Sequence, residues 1–148
     1  MKILIINGPN INLLGKRDQS IYGSVTLQDI EDVITARAKD LRADVVFFQS
    51  NSEGLIVDFI QSEAPNSDGV VINPGALTHY GLSLREALVD SRLPTLEVHL
   101  TNIYARELWR HKSVIAPIAQ GQISGLGWRG YVAALEFLIS TINEGAVK

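Results

Sequence analysis

The sequence predicts an α/β protein built on a doubly wound parallel sheet with helices on both faces, and three observations carry that prediction. Ile3 to Ile6, Val45 to Phe48 and Val70 to Ile72 are short continuous apolar runs, as expected of strands buried on both faces. Each run ends at a polar residue, Asn7, Gln49 or Asn73. Segments of helical spacing separate the runs, and alternating strand and helix is the pattern of parallel βαβ units.

Taken in chain order, the first strand empties into Asn7-Gly8-Pro9-Asn10, and a long segment from Leu13 to Val25 follows it. That segment carries Lys16, Arg17 and Tyr22 between Gly15 and Gly23, the make-up of a lid. Thr26 with Asp29 three positions on reads as a helix start, and Leu27, Ile30, Val33, Ile34, Ala38 and Leu41 recur at spacings of three and four. The second strand follows, then a helix containing Asp58 to Ile60, the third strand, and a helix containing Leu82 to Leu88. Pro94 to His99 is a fourth strand and Ile115 to Ile123 contains a weaker fifth. A last helix is expected from about Gly130 to Asn143, with Val132, Leu135, Phe137, Leu138 and Ile142 in the core.

Composition bounds the function. The 148 residues, 46% of them apolar, suit one domain spanning 1–148. A net charge of −3 advertises no basic surface to nucleic acid. Cysteine is absent, which removes disulfides, thiol nucleophiles, iron–sulfur clusters and thiolate zinc sites. The lysines, at 2, 16, 39, 112 and 148, avoid the interiors of the apolar strands, so no Schiff base is expected. The four apolar residues after Lys2 are too few for a signal-peptide core, and the uncharged stretch Ser113 to Trp128 is broken by Pro117, Gln120, Gln122 and glycines. A cytoplasmic enzyme without a membrane partner is the expectation.

The usual tenants of such a sheet are excluded by their own requirements. Gly125-Leu126-Gly127-Trp128-Arg129-Gly130 matches the dinucleotide fingerprint, but only eighteen residues follow it, too few for a helix and a returning strand. The motif is read instead as a tight turn with close helix–sheet packing. No glycine-rich run ends in Gly-Lys-Ser/Thr, and Gly8 to Gly15 lacks the hydroxyls that a flavin phosphate would want. Asparagines stand where a phosphoacceptor receiver needs carboxylates.

Ligands of open parallel sheets gather outside the carboxyl ends of the strands. There this chain places Asn10, Asn73, His79 and His99, residues that handle hydroxyls or a proton. Glu97, two residues before His99, leaves the same strand face and is expected to fix its tautomer and favour its protonated form. Arg17, five residues before Tyr22, is placed to stabilise a phenolate. Arg106 and Arg110 share a face if the segment after Asn102 is helical, either towards the site or paired at the surface with Glu107.

These residues fall within longer motifs. Asn7-Gly8-Pro9-Asn10-Ile11-Asn12-Leu13-Leu14-Gly15, Ile21-Tyr22-Gly23, Gln49-Ser50-Asn51, Glu53-Gly54, Asn73-Pro74-Gly75-Ala76, Thr78-His79, Glu97-Val98-His99, Ala105-Arg106-Glu107, Arg110 and Gly130-Tyr131 together resemble type II 3-dehydroquinate dehydratase over essentially the whole chain. The resemblance implies a flavodoxin-like fold, no cofactor, and reversible dehydration of 3-dehydroquinate to 3-dehydroshikimate in the shikimate pathway. It implies Tyr22 as base, activated by Arg17, and His99 as acid, steered by Glu97. Asn10 matches the residue holding the water that stabilises the enolate. Asn73, Leu100 and Thr101 match the carboxylate-binding site, and His79 and Arg110 match binders of substrate hydroxyls. Trimers assembled into a dodecamer are implied, with Glu86 reaching a neighbouring subunit's pocket.

Three positions depart from the family pattern: Thr101 stands where serine is usual, Ser52 where His is frequent, and Glu86 in place of an aspartate. The alternative reading is a non-catalytic flavodoxin-like module that binds a polar metabolite. Such a module has no need of both a lid-borne Tyr–Arg pair and a strand-end Glu–His pair.

Overall fold

The computed structural model describes residues 1–145, so Lys148 and the last three positions of the expected domain lie outside the described residues. Five parallel strands, β1 (Lys2–Asn7), β2 (Asp44–Gln49), β3 (Gly69–Asn73), β4 (Thr95–His99) and β5 (Gly121–Ser124), form one sheet in the order β2-β1-β3-β4-β5. This is the doubly wound order with its switch point between β1 and β3.

Five helices accompany the strands: a single turn α1 (Gln19–Tyr22), then α2 (Leu27–Asp40), α3 (Glu53–Glu63), α4 (Leu82–Ser91) and α5 (Arg129–Asn143). Alternation along the strands assigns each helix to a face. Ile3, Ile5, Val71, Leu96 and Val98 pack with Ile30 and Ile34 of α2 and Tyr131, Leu135 and Leu138 of α5. Leu4, Ile6, Val70 and Ile72 pack with Ile56 and Ile60 of α3 and Leu84 and Leu88 of α4. Thr26 starts α2 as expected: its side chain accepts from the Asp29 amide at 3.1 Å, and Asp29 accepts from the Thr26 amide at 3.0 Å.

Several expectations are corrected. Val45 to Phe48 form an edge strand, half-buried rather than covered on both faces, because β2 has a partner only in β1. Val33 and Phe137 point outward, beyond the apolar stripes of their helices. The fifth strand stands where the stretch Ile115 to Ile123 led one to expect it but runs one residue further, to Ser124, and Ala116–Ile118 before it is a 3-10 turn around Pro117. No helix follows Asn102: two 3-10 turns, Ile103–Ala105 and Leu108–Arg110, stand there. Lys2 opens β1 and pairs with Glu63 at 2.7 Å. Among the described residues, no helix is long and apolar enough to cross a membrane.

Candidate active site

The site begins at the switch point, where Asn7 and Asn73 are in register and the Gly8 amide donates to the Asn73 carbonyl at 2.8 Å. Both asparagines are buried, and their side chains are joined through Tyr131 of α5. The phenol donates to Asn7 Oδ1 at 2.6 Å and accepts from Asn73 Nδ2 at 2.9 Å. Burial pushes the Tyr131 phenol well above its ordinary 10, against the smaller lowering effect of the Asn73 bond, so it remains a hydroxyl. The loops after β1 and β3 interlock at their glycines. A Cβ on Gly8 would fall 2.3 Å from the Pro74 carbonyl oxygen, and one on Gly75 would fall 2.9 Å from that of Pro9. Asn10 takes the left-handed conformation at φ 69°, and its amide donates to Asn51 Oδ1 at 3.0 Å.

The segment after β1 folds over this floor. Arg17 Nη2 donates to the Tyr22 hydroxyl at 2.9 Å, with its guanidinium carbon 3.9 Å from the ring centroid. A second cation arrives from the turn after β4: Arg106 Nη2 donates to the same oxygen at 3.1 Å, and its Nη1 donates to Thr101 Oγ1 at 3.3 Å. Two guanidinium donors on one phenol oxygen suit an oxygen that carries negative charge.

On the opposite sheet face, Glu97 and His99 leave β4 together, both buried. His99 Nε2 lies 3.1 Å from Glu97 Oε1. Thr78 Oγ1 also donates to Oε1, Ser113 Oγ bonds both oxygens at 2.8 and 3.1 Å, and Gln122 Nε2 donates to Oε2 at 2.6 Å.

One cavity of about 190 Å³ gathers Asn10, Arg17, Tyr22, Asn73, His79, His99, Leu100, Thr101 and Arg110, with Arg106 and Trp109 on its wall. Glu97 stands behind His99. His79 Nδ1 donates to the Lys112 carbonyl at 2.7 Å, which leaves Nε2 as the nitrogen able to accept. Arg110 stacks on Trp109 and donates to Glu107, and that bond holds the exposed Glu107 carboxyl below its ordinary range. Glu86 lies outside the cavity, on the exposed side of α4. The sequence alone leaves Arg106 undecided between site and surface and assigns no site role to Ser113, Gln122 or Asn51. Nothing local distinguishes Ser113 and Gln122, since only the fold brings them to Glu97. Among the described residues, no group of three or more His, Asp or Glu side chains converges as metal ligands would.

A flavodoxin-like sheet with a phenol between two guanidiniums, and an imidazole on a buried carboxylate in the same cavity, defines an α/β enzyme of the acid–base class. The profile described as Dehydroquinase class II matches residues 1–139, and the chain belongs to that family. It is 54% identical over 145 residues to the 3-dehydroquinate dehydratase of Roseiflexus castenholzii, covering 98% of this chain and 92% of that one. It is 52% identical over 139 residues to that of Herpetosiphon aurantiacus, covering 94% and 96%. The crystal structure of type II dehydroquinase from Butyrivibrio crossotus superposes with a TM-score of 0.91 at 45% identity, covering 93% of this chain and 97% of that one. The chain's activity is 3-dehydroquinate dehydratase, a hydro-lyase reaction of the shikimate pathway.

Proposed function

We propose that the chain, as a single catalytic domain over residues 1–148, dehydrates 3-dehydroquinate through an enolate, with Tyr22 as base and His99 as acid. The observation that carries this reading is the pair of guanidiniums on the Tyr22 oxygen, in the cavity that His99 also lines. As a phenolate, Tyr22 takes the proton from the carbon beside the ketone, and the electron pair passes to the carbonyl oxygen. A water held at Asn10 donates to that developing charge. The enolate then expels the β-hydroxyl, which leaves as water with the proton of His99, and the double bond forms in conjugation with the restored ketone. Solvent removes the proton from Tyr22 and returns one to His99, so no cofactor is consumed.

Asn73 with Leu100 and Thr101 takes the substrate carboxylate, and His79 and Arg110 take its hydroxyls. Glu86 lies outside its own cavity, which suits a role in a neighbour's. Trimers, assembled into a dodecamer, are the proposed working form, and the cytoplasm the proposed location. Appearance of conjugated-enone absorbance after adding 3-dehydroquinate tests the reaction. His99→Ala should slow it by at least about a hundredfold, the low end for loss of a general acid. Undiminished turnover in that variant removes His99 from the role.

A further inference from the structure

Glu97 is fully enclosed, and each of its partners is a donor. Ser113 Oγ accepts the amides of Ile115 at 3.0 Å and Ala116 at 2.8 Å, which occupy both its lone pairs and commit its hydrogen to the carboxylate. Gln122 is oriented from its other end: the Tyr104 hydroxyl donates to its Oε1 at 2.8 Å, so Nε2 faces Glu97. At the Oε2 edge the cage offers only the donors Ser113 and Gln122, so a hydrogen carried there would find no acceptor. Among the described residues, no Lys or Arg pairs with the carboxylate, and His99 is its one partner with a titratable nitrogen.

We propose that Gln122, aligned by Tyr104, is a positioning residue for the acid step: it holds Glu97 as the carboxylate and so keeps the leaving-group proton on His99. Without the Nε2 donor, the Oε2 edge of Glu97 is free to take a hydrogen. The Nε2 proton of His99 then passes to the carboxylate, and the neutral imidazole, whose one remaining N–H is far less acidic than that of an imidazolium, is a poor proton donor to the departing hydroxyl. Proton abstraction by Tyr22 is untouched, so the enolate forms as before but lives longer. A longer-lived enolate is returned to substrate after the Tyr22 proton has exchanged with solvent.

The inference rests on the roles proposed for Tyr22 and His99, and the experiment separates the two. The reaction is run in deuterated water, and enone formation is compared with deuterium incorporated into recovered 3-dehydroquinate. Gln122→Met keeps the volume and removes the donor. It should lower kcat about tenfold with KM within about twofold, while deuterium incorporated per turnover rises severalfold. Tyr104→Phe, a change at a half-exposed residue, should move both readouts the same way by less, and it carries the test if Gln122→Met does not fold. Exchange and elimination falling in parallel, or parent values of both, would overturn the role of Gln122. Tyr22→Phe should lose exchange and elimination together; retained exchange there would instead overturn the assignment of the base.

Discussion

Arg106 reaches the Tyr22 hydroxyl from 84 residues along the chain, at 3.1 Å, and shares that oxygen with Arg17 at 2.9 Å. The lid is thereby tied through its reacting atom to the turn that follows β4. Tyr22→Phe keeps the ring and removes the base, so kcat should fall by roughly two decades or more with KM little changed. Arg106→Leu should cost about 1.5 to 3 kcal/mol in kcat/KM, the range for a hydrogen bond to a charged group. Steady-state rates from the enone absorbance check both, and near-parent turnover in Tyr22→Phe would dismiss the phenol as base.

Tyr131→Phe deletes the hydroxyl that joins Asn7 to Asn73 under the sheet edge. Two buried amide groups lose a partner, so urea unfolding should report a loss of about 1 to 3 kcal/mol. KM should rise as well, because Asn73 loses the bond that orients its amide. The phenol also sets an alkaline limit. In the unfolded chain it ionises near its ordinary 10, whereas burial keeps it protonated in the fold, so stability falls as pH climbs past 10. Tyr131→Phe should lose that part of the slope, as paired denaturation curves at pH 9 and above would show.

Glu86 supplies a test of assembly. Its carboxylate is exposed and outside its own cavity, so Glu86→Ala should leave the melting temperature nearly unchanged. If the side chain completes a neighbour's pocket, kcat/KM should drop by about 1.5 to 3 kcal/mol, and Glu86→Asp should be mild. Light scattering on the same samples must report an oligomer. A monomer, or kcat/KM for Glu86→Ala within twofold of the parent, would return Glu86 to an ordinary surface charge.

At the start of α2, hydrogen bonds from Thr26 hold the Asp29 carboxyl below its ordinary 3.8. A depressed acid stabilises the fold above that ordinary value and ceases to do so as pH falls through the lowered one. Asp29→Asn should therefore melt below the parent at pH 6, and the gap should close on acidification well below the ordinary 3.8. A gap independent of pH would assign the effect to side-chain geometry instead of charge.

The strand ends were the most legible part of the chain, because a buried strand must stop where the first polar side chain meets solvent or ligand, as at Asn7 and Asn73. The Thr26–Asp29 pair declared a helix start for a similarly local reason. Gly130 likewise opens α5 hard against the sheet, where a Cβ would sit 3.3 Å from Val98 and Ile123, as close helix–sheet packing requires. What periodicity misses is decided by neighbours distant in sequence. Val45 to Phe48 is as apolar as a central strand, and only the strand order makes it an edge. Arg106 and Arg110 would share a face if the segment after Asn102 were helical, yet its two 3-10 turns send Arg106 towards Tyr22 and leave Arg110 on Glu107. Besides His99, the donors around Glu97 come from three separate segments, so no local pattern could announce them.

The interlocked loops at Gly8 and Gly75 have a consequence for inhibitors. Atoms that rest on that floor meet a mould already set, so their affinity carries no ordering cost and they should associate quickly. Atoms that engage Tyr22 and Arg17 must also recruit a segment whose Asp18 to Ile21 stretch is exposed to solvent, and each such contact incurs the entropy of fixing it. Two compounds of equal affinity should then differ in kind: a floor binder with fast arrival and fast release, and a lid binder that arrives slowly and resides long.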